Sequence, residues 1–223
     1  MKRSISIFLI LSMLLGMALT MSGCAGDDKK ILGTWKAEID YTEALNAGIR
    51  SAEGMKDIAK YFQADSFILT TTFTFRDDGT YTVSIDDASA ENALKTIRSI
   101  VYGGFRRYLQ YQVDMSGLPI SVSEYLNLLG ISMSELVDGA LTDEVKKELL
   151  DEMVNPHTGN YRVADGKIYM TEEVDEELTE ENYDTYELDG DTLTLLECHC
   201  KQEEGFEDIA QSIYPVVLTR TEE

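Results

Sequence analysis

Between residues 66 and 76 the chain alternates with period two. Phe67, Leu69, Thr71, Phe73 and Phe75 fall on one side, and Thr70, Thr72, Thr74 and Arg76 on the other. That period, with its Thr and Phe enrichment, predicts a strand. Asp77-Asp78-Gly79 then turns the chain, and Tyr81, Val83 and Ile85 resume the alternation, so a hairpin is expected. The unit recurs twice near the C-terminus. Tyr161-Arg162-Val163 and Ile168-Tyr169-Met170 flank Asp165-Gly166, and Tyr186-Glu187-Leu188 and Leu193-Thr194-Leu195 flank Asp189-Gly190. Asp-Gly suits a two-residue turn because both central residues need positive φ. A first strand over residues 32–39 and a last over 214–220 bring the count to eight, all joinable antiparallel. Closing eight strands on themselves removes the exposed edges, so a small barrel is the expected architecture.

Two segments break the period. Leu45, Ile49, Ala52, Met55, Ala59 and Phe62 recur at helical spacing, with Thr42 placed as an N-cap, predicting one helix over 42–62 between strands 1 and 2. Residues 87–158 are too long for a plain loop. Leu94, Ile97, Val101, Phe105 and Tyr108 form a helical stripe there, and Ser121…Glu124 and Ser132…Glu135 both fit a capping box. Val145, Leu149, Leu150 and Met153 mark a further helix, stopped by Asn155-Pro156. The expectation is a mainly β chain with a subdomain of three or four helices inserted between strands 3 and 4. Gly103-Gly104 marks a bend or a close contact in the first of these.

The N-terminus reads as an address. Lys2 and Arg3 precede an uncharged apolar run over 5–19, shorter than a spanning helix needs, and Met21-Ser22-Gly23-Cys24 follows. This order resembles a bacterial lipoprotein signal peptide. The resemblance implies cleavage between Gly23 and Cys24 and a lipid anchor of acyl chains, palmitate included, on Cys24. The protein would then be held at the cell membrane, facing outside the cytoplasm. Residues 1–23 are the signal, 24–30 a short polar tether, and 31–223 the barrel domain with its insertion. Composition agrees with a packed exported domain: 43% apolar residues, 41 acidic against 19 basic side chains, net charge −22, or −24 without Lys2 and Arg3. Such acidity disfavours nucleic acid and anionic lipid surfaces as partners, so the acyl chains would do the holding.

Gly33-Thr34-Trp35 on the first strand and Leu218-Thr219-Arg220 on the last, around a barrel of hairpins, resemble the lipocalin-like (calycin) domains of bacterial lipoproteins. The resemblance implies an up-and-down barrel with Trp35 packed at its closed end and Arg220 lying across it. It also implies an interior able to hold a small apolar or amphipathic molecule, with Phe67, Phe73, Phe75, Tyr81, Val83, Tyr161, Met170, Tyr186 and Leu195 as possible lining. Many of these side chains are large, and they suit a filled barrel as well as a pocket. Two functions are therefore expected in competition. One is ligand binding by the barrel. The other is a protein-interaction module in which the barrel is a scaffold and the helical insertion meets the partner.

Other candidate chemistry is thin. Cys198-His199-Cys200 on a regular strand puts the two thiols on one face and the imidazole on the other, a poor metal set with only His157 as a further imidazole; the thiols are expected to be structural, with a strained disulfide between residues two apart and a metal site as the alternatives. The acidic segment 172–181 lacks the spacing of a calcium loop and reads as a solvated turn. Arg106-Arg107 is the one arginine doublet of the exported part, suited to acidic neighbours or an anionic ligand head. No phosphate loop, HExxH or GxSxG pattern occurs. No cofactor and no enzymatic activity are expected.

Overall fold

A computed structural model describes residues 28–52, 54–171, 173–199 and 212–221. Cys24, Gly23 and Cys200 lie outside the described residues. A short helix, α1 (Asp28–Ile31), leads into β1 (Gly33–Asp40). Helix α2 (Thr42–Ser51) and a 3-10 turn (Ala59–Tyr61) precede β2 (Ile68–Phe75) and β3 (Thr80–Ile85). Four helices follow: α3 (Asp87–Ser116), α4 (Val122–Leu129), α5 (Met133–Ala140) and α6 (Asp143–Val154). The chain then runs through β4 (His157–Ala164), β5 (Lys167–Met170), β6 (Tyr183–Asp189), β7 (Thr192–His199) and β8 (Val216–Arg220).

Every strand pairs antiparallel with its neighbours in sequence, and β8 pairs with β1, so the sheet closes. Alternation decides what fills it. Trp35, Ala37 and Ile39 from β1, Leu69, Thr71 and Phe75 from β2, and Tyr81, Val83 and Ile85 from β3 are buried on the inner face. Val163, Ile168, Leu193 and Leu218 complete the wall on the other side, each 1% exposed or less. Asp165 and Gly166 both take positive φ (51° and 73°), as their two-residue hairpin requires.

Several boundaries differ from the sequence expectation. The helix between strands 1 and 2 stops at Ser51 instead of running to Phe62. Its C-cap, Ala52, is extended (ψ 132°) and Gly54 takes φ +81°, a geometry no helix continues through. Thr42 is the first helical residue and not the N-cap. Its hydroxyl donates to Asp40 Oδ1 and accepts from the Phe67 N–H (2.7 Å). Phe67 precedes β2 rather than belonging to it, though it is buried. The insertion ends at Pro156, because His157 and Thr158 already pair with Val83 and Thr82.

Inside the insertion, the Ser121 and Ser132 capping boxes form in full. Helix α3 is capped at its start by Asp86, whose Oδ1 accepts from the Ala88 N–H and whose Oδ2 takes Lys36 Nζ at 2.9 Å, tying the helix to β1. It passes Gly103-Gly104 unbroken, and Gly104 serves close packing: a Cβ there would meet the Phe62 ring at 2.1 Å. Helices α5 and α6 pack on α3, and α6 also touches β3. Val137, Leu141, Leu149 and Met153 join one continuous cluster of buried residues with Ile39, Leu69 and Ile85 of the barrel. The helices therefore share a core with the sheet.

Candidate functional site

The barrel has two ends of different character. At the first end the chain reverses through the short turns after β2, β4 and β6, and the N-terminal segment covers the opening. Trp35 is fully buried there and donates from Nε1 to the Ile31 carbonyl at 2.7 Å. The Arg220 guanidinium lies 4.0 Å from the Trp35 ring centroid. It donates to the carbonyls of Leu32 and Lys30 (2.5 and 2.7 Å) and pairs with Asp191 at 3.2 Å. The cation thus satisfies backbone acceptors of the covering segment while resting on the indole face. Gly33, at φ +114°, leaves room for it, since a Cβ there would stand 2.9 Å from Arg220 Nη1.

Of the nine possible lining residues, Phe67, Phe75, Tyr81, Val83, Tyr161, Met170 and Leu195 are buried, and Phe73 and Tyr186 are partly so. They interlock. The Phe75 and Tyr161 rings meet edge to face at 4.9 Å, and Phe75 and Tyr81 lie 6.2 Å apart. Tyr161 Oη donates to the Arg76 carbonyl (2.8 Å) and Tyr81 Oη to the Thr171 carbonyl (2.7 Å). These three rings are spent on neighbours, and Phe73 and Tyr186 pack against the same buried cluster, as in a small barrel filled by side chains.

The second end collects the long connections, and it holds polar residues that sequence reasoning missed. Asp184 on β6 is 6% exposed. Tyr214 Oη donates to its Oδ2 at 3.0 Å. Burial pushes the Asp184 carboxyl up to about 7, against the pull of that hydrogen bond. Burial, and then the charge of Asp184, raises Tyr214 well above the ordinary phenol value. Tyr41 is pushed up to about 12 by burial, partly offset by the Thr71 hydroxyl. By hydrogen-bond geometry, however, Thr71 Oγ1 is a buried atom without a partner, and so is His157 Nε2. The signal was present: Asp184, Tyr186 and Leu188 share one parity, so an inward Tyr186 implies an inward Asp184.

Cys198 also turns inward, 4% exposed, opposite Asp184. An irregularity in the β6–β7 register, where Tyr186 pairs with Leu195 but Thr185 with Glu197, shifts the parity of β7 and puts Cys198 on the same side as Leu195. Cys198 is disulfide-bonded rather than a free thiol. His199 points outward and stacks on Tyr183 at 4.7 Å. Among the described residues no cluster of His, Cys, Asp or Glu is arranged to hold a metal ion. Arg107 donates from Nε to the Tyr61 carbonyl (2.8 Å), so half of the basic doublet braces the turn before β2 rather than facing the barrel interior. From the acidic turn, Glu180 comes within 4.0 Å of Arg162.

Outside the barrel, the helical insertion exposes large apolar side chains at the hairpin of α3 and α4. Leu128 is 75% exposed, Met115 68%, and Leu118 and Leu129 about half. A surface groove of about 330 Å³ lies elsewhere on α3, between Leu94, Leu141 and charged residues that include Lys95, Arg98 and Lys146. Arg98 and Lys146 are engaged there by Asp138 and Asp143. No described helix is long and apolar enough to cross a membrane. No protein-family model, curated protein or solved structure matches the chain.

Proposed function

We propose that the chain is an exported, lipid-anchored protein of the cell envelope, with Cys24 as the anchor. In this reading a lipocalin-like up-and-down barrel is the scaffold and the helical insertion is a docking surface for another protein. One observation carries the choice between the two expected functions. The apolar residues expected to line a ligand pocket are packed against one another, whereas comparable side chains on the α3–α4 hairpin are left in water. An exposed apolar group of this kind marks an interaction site more often than it serves a fold.

A photo-crosslinking residue at position 128 tests the reading in cells. A discrete protein adduct is expected from position 128 and not from position 217, an exposed site on β8. Equal adducts from both positions, or from neither, overturn it. Replacing Cys24 by Ser should move the folded protein out of the membrane fraction, and retention there removes the anchor.

Ligand binding by the barrel stays in view on a different observation, the unpartnered Thr71 Oγ1 and His157 Nε2. Buried polar atoms of that kind take a water or a ligand group. Native mass spectrometry of the protein purified from the envelope separates the two readings, because a carried small molecule adds a fixed mass that denaturation removes.

A further inference from the structure

We propose that the α3–α4 hairpin docks a short, basic, amphipathic segment of its protein partner, an inference that rests on the reading of this hairpin as a docking surface.

The apolar part comes from side chains the core does not use. Val113 of α3, Leu126 of α4 and Val137 of α5 are buried, at 4% exposure or less, and fill the interior of the helical layer. Leu128 stands two residues beyond Leu126, which on a helix turns it to the opposite side. Leu129 at the helix end and Ile131 just past the left-handed cap at Gly130 continue the exposed set. Tyr111, Met115 and Leu118 supply it from the end of α3 and the turn after its own left-handed cap at Gly117. Helix α4 packs back against α3, which brings the two contributions together. The other exposed large apolar residues, Ile68, Tyr102, Val174 and Val217, are scattered along the rest of the chain.

Along residues 110–139 the charge has one sign, and Lys60, whose Nζ lies 5.6 Å from the Tyr111 ring centroid, is a cation brought from outside that stretch. From residue 110 to 139 the sequence contains Asp114, Glu124, Glu135 and Asp138 and no Lys, Arg or His. Asp138 is neutralised by Arg98, whose Nη1 lies 2.6 Å from Oδ1. Glu124 and Glu135 answer only their own helix caps. Hydrogen bonds from Ser121 and Ser132 hold both carboxyls below the usual carboxylate range, so they stay ionised in mildly acidic surroundings. Gln110 donates to Asp114, a neutral contact that leaves its charge in place.

Apolar side chains on a stretch of chain that carries three uncompensated carboxylates select the occupant. A second copy would bring the same carboxylates to the same place, on a chain that already carries −22. An anionic lipid surface is repelled for the same reason. A segment with Leu- or Phe-type residues on one face and Lys or Arg on the flanks satisfies both components, the charges setting approach and orientation and the apolar face supplying affinity. Helix α4 is eight residues long, about 12 Å, so two to three turns of a partner helix suffice to cover it.

The probe is an 18-residue Leu/Lys amphipathic peptide, titrated against the full chain in nanodiscs of zwitterionic lipid, with empty nanodiscs as the blank. A Leu/Glu peptide of the same pattern and a Lys/Ser peptide without apolar residues are run in parallel. The Leu/Lys peptide is expected to bind at least tenfold tighter than either. The double substitution L128S/L129S is expected to cost at least tenfold, and V217S on the barrel nothing. Both variants change exposed residues, and circular dichroism with a thermal melt verifies their folding. Equal binding to L128S/L129S, or equal binding of the Leu/Glu or Lys/Ser peptide, overturns the proposal. So does self-association of the protein, or attachment of the hairpin to anionic vesicles, when L128S/L129S abolishes it. If position 128 crosslinks to a protein in cells while the Leu/Lys peptide fails to bind, the docking reading stands and the basic partner falls. If neither occurs, both fall.

Discussion

Where Trp35 meets Arg220, the barrel closes with short turns, one indole, one guanidinium and a covering segment whose carbonyls the guanidinium binds. Where Asp184 meets Tyr214, long connections converge and the interior holds a carboxyl, two phenols, a hydroxyl and an imidazole nitrogen. The first end buries its cation cheaply because every guanidinium nitrogen has an acceptor nearby and part of the side chain reaches water. The second end buries a carboxyl with one phenol donor, and burial pushes it up to about 7. The same sheet thus tolerates two solutions to an ionisable group inside a barrel. Satisfying the charge gives rigidity, and suppressing it gives sensitivity to pH.

The largest effect expected from breaking this contrast is at the first end. Trp35→Ala should cost about 5 kcal/mol in chemical denaturation, the upper end for a large-to-small core change. The Arg220 stacking goes with the ring, and the Ile31 carbonyl loses its donor. A loss under 2 kcal/mol would show that the end is held by its turns alone.

The second end should answer to pH instead. The Asp184 carboxyl rises on folding from 3.8 to about 7, so its contribution to stability is fully present below about pH 4 and is lost as pH climbs through 7. The fall across that window is about 4 kcal/mol for one group displaced this far. Asp184→Asn should flatten the profile and stabilise the protein at pH 8, because the amide keeps an acceptor for Tyr214 without the charge. Urea titrations at pH 5 and pH 8 check this, and an unchanged slope in the variant would assign the pH dependence to other carboxylates.

Arg220→Lys comes next. An ammonium keeps the charge but not the fork that reaches two carbonyls at once, so a loss of about 1–2 kcal/mol is expected, with Trp35 fluorescence shifted by the altered stacking. The smallest effect belongs to the turns. Gly166→Ala places a Cβ at φ +73° and should cost about 1 kcal/mol, with no change in the pH profile.

Strand pairing at the first end was legible because each turn carries its own instruction in sequence. Asp165-Gly166 forms the turn its sequence predicts, whereas the β6–β7 turn is centred one residue later, on Gly190-Asp191, because Asp189 pairs with Thr192 and only Gly190 takes positive φ there; alternation on both sides fixes which face is buried. The four helices of the insertion were legible for a similar reason, since each has a cap or a stripe of its own. The helix between β1 and β2 was overextended because Met55, Ala59 and Phe62 keep a helical spacing through a turn. Phe62 is buried by the absence of a Cβ at Gly104, and no local pattern carries that information. At the second end Asp184 had the right parity but the wrong polarity for a core list built on apolar residues. Cys198 needed a register irregularity that leaves no local mark.

The sheet closes through β8 on β1, and Arg220 reaches back across 190 residues to the Lys30 carbonyl. Synthesis delivers β1 first and β8 last. Until β8 emerges, β1 has one open edge and Trp35 has no cation above it, however well the hairpins and helices have formed. Local elements can therefore assemble quickly while the last step waits for the whole chain and for the closure of its longest loop. A chain that has formed its hairpins before β8 arrives would be an open sheet, a state exposed to edge-to-edge pairing and to proteolysis. Loss of β8 would make that state permanent.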